Sequence, residues 1–341
     1  MDQRDRRLWG ALAAITFGGA ILTTIGLWPD SAVTGTAFAA NDQSGGLLAA
    51  GASAPASAAP SVAPGACHLF PATNVWNKRV DSLPVAASSA TMVKAIGLTS
   101  SLHPDVSSLA WNGGLGYGIP FNKVNPLTPT YAVRFKYASE SDAGPYPIPP
   151  SPKIEGGSDR HLLAWDTQGC RLFELYDAVK TSTGWTAGSG AIWDLTSNAL
   201  RPGGWTSADA AGLPILPGLV RADEVAAGAI LHALRFTAPR TCDGHVYPAR
   251  HDAGSYGCTS YPPMGLRVRL KASVDISSFP KQARVILLAL KRYGMLLADN
   301  GSPWYVTGAP SAAWNDDDLH TLGRLHGSDF EVVDTSSLRN G

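Results

Sequence analysis

From Cys67 onward, apolar and polar residues alternate over most of the chain with a period of about two, as they do along half-buried strands. Tyr131, Val133, Phe135 and Tyr137 alternate with Arg134 and Lys136, and Leu266, Val268 and Leu270 alternate with Arg267, Arg269 and Lys271. Residues 161–166 and 171–176 flank a Thr-Gln-Gly turn and predict a hairpin. Residues 295–299 and 304–307 flank Asn300-Gly301, a dipeptide suited to tight turns, and predict a second hairpin. Over residues 231–237 the same alternation puts His232 with Leu234 and Phe236 on one face, and Ala233, Arg235 and Thr237 on the other. Helical patterning is confined to 89–96, to 281–293 behind Pro280, and to 316–325 behind an acidic start. Together these elements predict a mainly β fold, a jelly roll or β-sandwich in a single domain with a few peripheral helices.

The N-terminal region reads differently. Arg4, Arg6 and Arg7 precede an uncharged apolar run over residues 8–28, and Ala37-Phe38-Ala39 is a small-x-small site. Residues 1–39 therefore predict an export signal cleaved after Ala39 or Ala40. Left uncleaved, the run is long enough to anchor the chain in a membrane. Residues 40–66 are rich in Ala, Ser, Pro and Gly with Asp42 as the single charge, which predicts a flexible linker. A single β-rich catalytic domain over 67–334 and a tail over 335–341 complete the expected organisation, in an extracellular protein.

Charge narrows the partners. Lys and Arg number 27 and Asp and Glu number 27, with no basic tract, which argues against nucleic acid. No metal or organic cofactor is implied, and a monomer is expected. The 4 cysteines of an exported chain predict two disulfides. Cys242 and Cys258 bracket a Gly-rich loop and are expected to pair, leaving Cys67 for Cys170. A zinc site using His245 and His251 is the rival, but the loop has no C-x2-C unit.

Complete G-x-S-x-G, H-E-x-x-H, P-loop and dinucleotide motifs are absent, so chemistry has to be sought in looser groupings. Glu155 precedes a Gly pair, where the backbone can turn and aim its carboxylate into a cleft. Asp159 and His161, two apart, would share a strand face, with the carboxylate orienting an imidazole base; the plainer reading is a surface Asp–His contact. His232 is either a satisfied core histidine or a desolvated acid–base group in a cleft. Tyr247, Arg250 and His251 carry the three functions that β-elimination on a uronic acid requires. Asp209, Asp223 and Glu224 surround a Pro/Gly-framed loop, and paired carboxylates serve glycoside hydrolysis. Capping of a turn by Asp209 is the alternative. Arg134, Lys136, Arg267, Arg269 and Lys271 would form a basic sheet surface if their strands were neighbours, although such faces are ordinarily just solvated. Trp111, Trp185, Trp193, Trp205 and Trp304 stand near Gly or polar residues, where exposed rings would stack on sugars.

Several stretches resemble a family of secreted bacterial proteins of unassigned activity: 70–77 (FPATNVWN), 144–149 (GPYPIP), 188–198 (GSGAIWDLTSN), 210–218 (AAGLPILPG), 248–251 (PARH) and 262–271 (PPMGLRVRLK). The resemblance spans 67–334, implies one folded unit and carries over no catalytic residue.

Export, a flexible tether, abundant Trp and Tyr and a strand-rich domain lead to the expectation of a secreted glycoside hydrolase acting on an extracellular polysaccharide. Its catalytic residues would be Glu155, His161, Asp209, His232 and His251. Its substrate contacts would be Arg235, Tyr247, Arg250, Trp205 and Asp223. Glu155, His161, Asp209, His232, Arg235 and His251 are accordingly expected to face one cleft, because burying so many ionisable groups is costly unless they pair or do chemistry. A polysaccharide lyase and a non-catalytic glycan- or wall-binding protein are the other readings. A metal-dependent hydrolase would need three of His161, His232, His245 and His251 within ligand reach.

Overall fold

Strand outweighs helix, 26% to 19%, in the computed structural model, which describes residues 67–110 and 116–340 and is mainly β. The export signal (1–39), the linker (40–66) and Trp111 lie outside the described residues. The largest sheet has six strands in the order β1 (His103–Asp105), β14 (Tyr305–Thr307), β11 (Leu234–Ala238), β13 (Met295–Asn300), β12 (Arg267–Leu270) and β15 (Phe330–Val332). A four-stranded sheet runs β10 (Ser189–Asp194), β7 (Arg171–Tyr176), β6 (Leu162–Asp166) and β2 (Phe121–Val124). Two small sheets pair β3 (Thr130–Tyr131) with β5 (Tyr146–Pro147), and β4 (Val133–Phe135) with β9 (Gly184–Ala187) and β8 (Val179–Thr181). Four α-helices accompany them among the described residues: α1 (Ser89–Gly97), α2 (Ala222–Ala227), α3 (Lys281–Arg292) and α4 (Asp316–His320).

Alternation explains the layering. On β6 and β7, Leu163 and Leu172 point into a main core shared with Phe236, Val268 and Leu297 of the six-stranded sheet. Leu162, Ala164, Phe173 and Leu175 point the other way, into a second core with Val133, Trp185 and Tyr146. The four-stranded sheet is thus covered on both faces, and the unit is sandwich-like. In α3, Ala283, Ile286, Leu287 and Leu290 follow the helical period and are buried in the main core. Trp304 stacks between Phe236 and Phe330, with centroids 5.7 and 5.0 Å away, and its indole donates to Gly97 O at 2.7 Å. The expected tail is partly drawn in, since Leu338 packs against the main core. The disulfides are Cys67–Cys170 and Cys242–Cys258, the pairing expected from spacing.

Several expectations need correction. The 131–137 alternation is split, because β3 and β4 belong to different sheets. The second hairpin does not form: β11 lies between β13 and β14, parallel to the first and antiparallel to the second. The Asn300-Gly301 turn instead crosses the end of β11, with Gly301 N donating to Ala238 O and Thr237 Oγ1 to Ser302 O. Parallel pairs also join β1 to β14, β2 to β6 and β4 to β9. The 316–325 helix divides into α4 and a 3-10 turn, Thr321–Arg324. Nor does a basic sheet surface exist, since β4 and β12 lie in different sheets and Arg267 and Arg269 are buried.

Candidate active site

The site is assembled around Arg235. Strand alternation sends Leu234 and Phe236 into the core and Arg235 to the opposite face, where it is 3% exposed. Its Nε and Nη2 donate to the two oxygens of Asp209 at 3.0 and 2.8 Å, and its Nη1 donates to Thr307 Oγ1 at 2.6 Å. Asp209 is itself 1% exposed, and its backbone N–H is held by Ser207 Oγ. Two charges this deep are tolerable only because the fork satisfies both carboxylate oxygens.

Register brings further carboxyls to the same face. Asp105 pairs with Thr307 across β1 and β14, while Asp299 pairs with Thr237 across β13 and β11. From the loop before β6 come Glu155 and His161. Glu155 Oε2 accepts from His161 Nδ1 at 2.5 Å and from the His161 backbone N–H at 3.3 Å. His161 Nε2 donates to Ala208 O at 2.9 Å, which ties this loop to the segment carrying Asp209.

Both acceptors around His161 are oxygens without a proton to give, so both ring nitrogens donate and the ring is an imidazolium. Burial alone would lower it, but the charge and hydrogen bond of Glu155 outweigh that, and His161 is pushed up to about 9. Burial raises Glu155, yet His161 and Arg235 overcome it and hold the carboxyl below its ordinary value. The half-buried Asp105 has no ring partner. Burial, and then the charge of Glu155, push it up to about 6 against the pull of Arg235. Asp299 is raised well above the usual range by burial and by Asp209. The Asp105 carboxyl takes no hydrogen bond from the described residues. Neighbouring carboxyls with titrations pushed apart are the arrangement that acid–base catalysis uses. His161, with no free lone pair, cannot act as the base expected of it, and Asp159 is exposed rather than its orienting partner.

Four of the six residues expected to converge therefore do so: Glu155, His161, Asp209 and Arg235. His232 precedes β11 instead of lying on it; its Nε2 meets Glu224 Oε2 at 3.1 Å and its Nδ1 meets Ala233 O at 2.8 Å. Asp223 and Glu224 sit in the first turn of α2 beside Arg221 and do not oppose Asp209 across a loop. His251 Nδ1 donates to Ala210 O at 2.7 Å, so His161 and His251 hold the carbonyls on either side of Asp209. Its Nε2 lies 3.8 Å from Glu140 Oε2.

Tyr247 is not paired with His251. It is half-buried against the main core, where burial raises it against the charge of Arg267. Arg250 donates to Arg201 O at 2.9 Å. The guanidinium of Arg201 lies 5.6 Å from the Trp193 ring and 5.5 Å from Trp205, so Trp205 packs on a cation. Trp185, Trp193 and Trp304 are core residues. The histidines weighed as zinc ligands take separate acidic partners, with His245 on Asp252 at 3.2 Å, and no metal-holding group of His, Cys, Asp or Glu occurs among the described residues.

Sequence reasoning missed Asp105 and Asp299. The signal for each was faint: an acid ending the short His103–Asp105 strand, and an acid closing the apolar run 295–298. Glu174 was missed as well, but it is structural. It is fully buried in β7 and accepts from Ile215 N, Leu216 N and Trp193 Nε1; burial pushes it up to about 7 against those donors. A shallow surface depression lined by Phe70, Trp76, Trp193 and Pro214 among others contains no ionisable side chain.

Fold and site together define a mainly β, disulfide-bonded protein with a carboxyl-rich polar centre at one end of a mixed sheet. The chain matches no family model, no curated protein and no solved structure.

Proposed function

We propose that the protein is a secreted glycoside hydrolase that cleaves an extracellular polysaccharide, with Asp105 delivering the proton and Glu155 serving as the ionised carboxylate. One observation carries this reading: the half-buried Asp105 carboxyl, which takes no hydrogen bond from the described residues, feels the charge of Glu155, and that charge is held by His161. A carboxyl that titrates at about 6 holds its proton in mildly acidic solution and can protonate a departing glycosidic oxygen. An ionised neighbour can activate water or attack the anomeric carbon. His161 neutralises and orients Glu155, Arg235 with Asp209 sets the local field, and a protonated Asp299 would donate to a sugar hydroxyl. Two disulfides suit an oxidising compartment and support export.

The test is incubation with a polysaccharide panel, reading new reducing ends and the absorbance of unsaturated uronates. Reducing ends without that absorbance are expected. Asp105→Asn and Glu155→Gln should each lower turnover by about 10²–10⁴ with the circular dichroism unchanged. A rise in absorbance would make the protein a lyase, and binding without product would make it a glycan-binding protein.

A further inference from the structure

The loop between Thr241 and Tyr261 is pinned tightly for a segment so rich in Gly and Ser. Cys242–Cys258 closes it, Cys242 bridges to Tyr256, and Asp243 N donates to Tyr256 O at 2.9 Å. At Gly254 a Cβ would meet Cys242 O at 2.1 Å and Thr241 O at 2.3 Å, so only glycine lets the two arms approach this closely.

This frame presents Tyr256 and Tyr261 with ring centroids 4.5 Å apart and planes tilted by 36°, and Tyr256 is 41% exposed. The Arg240 guanidinium lies 5.9 Å from the Tyr256 ring and makes no ion pair among the described residues. Ser255, Thr259 and Ser260 are exposed and flank the two tyrosines in sequence. The loop is also bonded to the strand that carries Asp299: Thr241 Oγ1 donates to Asn300 Oδ1 at 2.7 Å, and Asn300 Nδ2 donates to Ala253 O at 3.1 Å. Asn300 directly follows Asp299.

Tightly framed aromatic rings with a guanidinium beside one of them, in a loop segment carrying exposed hydroxyls, match a sugar, whose C–H face packs on a ring while its hydroxyls meet the polar groups. A protein partner needs a wider apolar surface than two tyrosine rings provide. We infer that Tyr256 and Tyr261 form a subsite for pyranose units of the polysaccharide chain that passes the carboxyl centre. The inference rests on the glycan-directed reading of that centre.

Affinity electrophoresis of the Asp105→Asn chain through gels containing xylan, laminarin, arabinogalactan or alginate tests it. Retardation in at least one gel is expected. Adding Tyr256→Ala and Tyr261→Ala should weaken that binding about tenfold, while Tyr256→Phe with Tyr261→Phe should retain it and report an intact loop. Equal retardation of the alanine pair, loss in the phenylalanine pair, or retardation in no gel would overturn the subsite. Platform-dependent binding with no product from the unaltered chain would leave the subsite standing and remove the hydrolase reading. Cleavage that depends on Asp105, with undiminished binding by the alanine pair, would do the reverse.

Discussion

Arg235 and Arg267 stand on one face of the same sheet, each paired across strands with Leu296, and are 3% and 1% exposed. Their neighbours differ. Arg235 spends its fork on one carboxylate, and its charge reaches Glu155, Asp105 and Asp299. Arg267 meets no carboxylate. Its donors end on the carbonyls of Tyr293, Val75 and Lys78, and burial pulls it down to about 9. A guanidinium serving carbonyls closes a helix end and a stretch of chain against the sheet. A guanidinium serving a carboxylate leaves a field in which other carboxyls separate into ionised and protonated forms. The first is architecture, and the second sets the field in which the proposed chemistry would run.

The contrast can be broken most forcefully at Arg235. Arg235→Met strands Asp209 as a buried charge and should cost about 3–5 kcal/mol, read as a lowered urea midpoint at constant m. Coupling it to Asp209→Leu should restore most of that stability without restoring turnover. A single variant as stable as the parent would show that the pair does not organise the centre.

Arg267→Met should cost about 1–3 kcal/mol, because carbonyls lose donors but no countercharge is stranded. Activity per folded molecule should survive, and a loss of turnover in folded protein would place Arg267 in the chemistry.

The pH dependence of stability is the next largest effect. His161 is raised from 6.5 to about 9, so its contribution is complete below about 6.5 and lost as pH rises through 9. Glu155 is lowered from 4.5, so its contribution is present above about 4.5 and lost as pH falls through its depressed value. Stability relative to His161→Gln should therefore shrink between pH 6.5 and 9. A pH-independent difference in urea titrations would mean the ring is uncharged.

The smallest effect sharpens the comparison. Arg235 pulls Asp105 down, so carboxyl NMR of the Arg235→Met, Asp209→Leu protein should find Asp105 titrating above its starting value of about 6. The same measurement on Arg267→Met should find it unmoved.

Much of the framework was legible in residue order. The strands near 161–166 and 171–176, the helix from Lys281 and both disulfides came from periodicity, turn residues and cysteine spacing. Glu155, His161, Asp209 and Arg235 were also chosen from sequence, as ionisable groups among apolar strands and rigid turns. Their pairings were not legible. Asp159 looked like the partner of His161, being two residues away, but the loop folds back and brings Glu155 to the ring from six residues away. His232 fitted the alternation of β11, yet the strand starts two residues later, and Glu224 on α2 claims the ring.

What the chain determines by itself is local: the period-two face of each strand, the apolar stripe of α3, the glycine that lets two backbones touch. Neighbours in sequence set these through backbone geometry and side-chain size, so they can be read in order. What the tertiary structure decided is which strand lies beside which. β11 inserts between β13 and β14 and thereby brings Arg235, Asp299 and Thr307 to one face, together with Asp105 from a segment more than a hundred residues earlier. Whether an arginine there meets a carboxylate or a carbonyl, and whether an aspartate keeps its proton, depends on desolvation and on charges supplied by distant segments. Alternation marks which side of a strand a residue faces, and only the assembled sheets determine what it meets there.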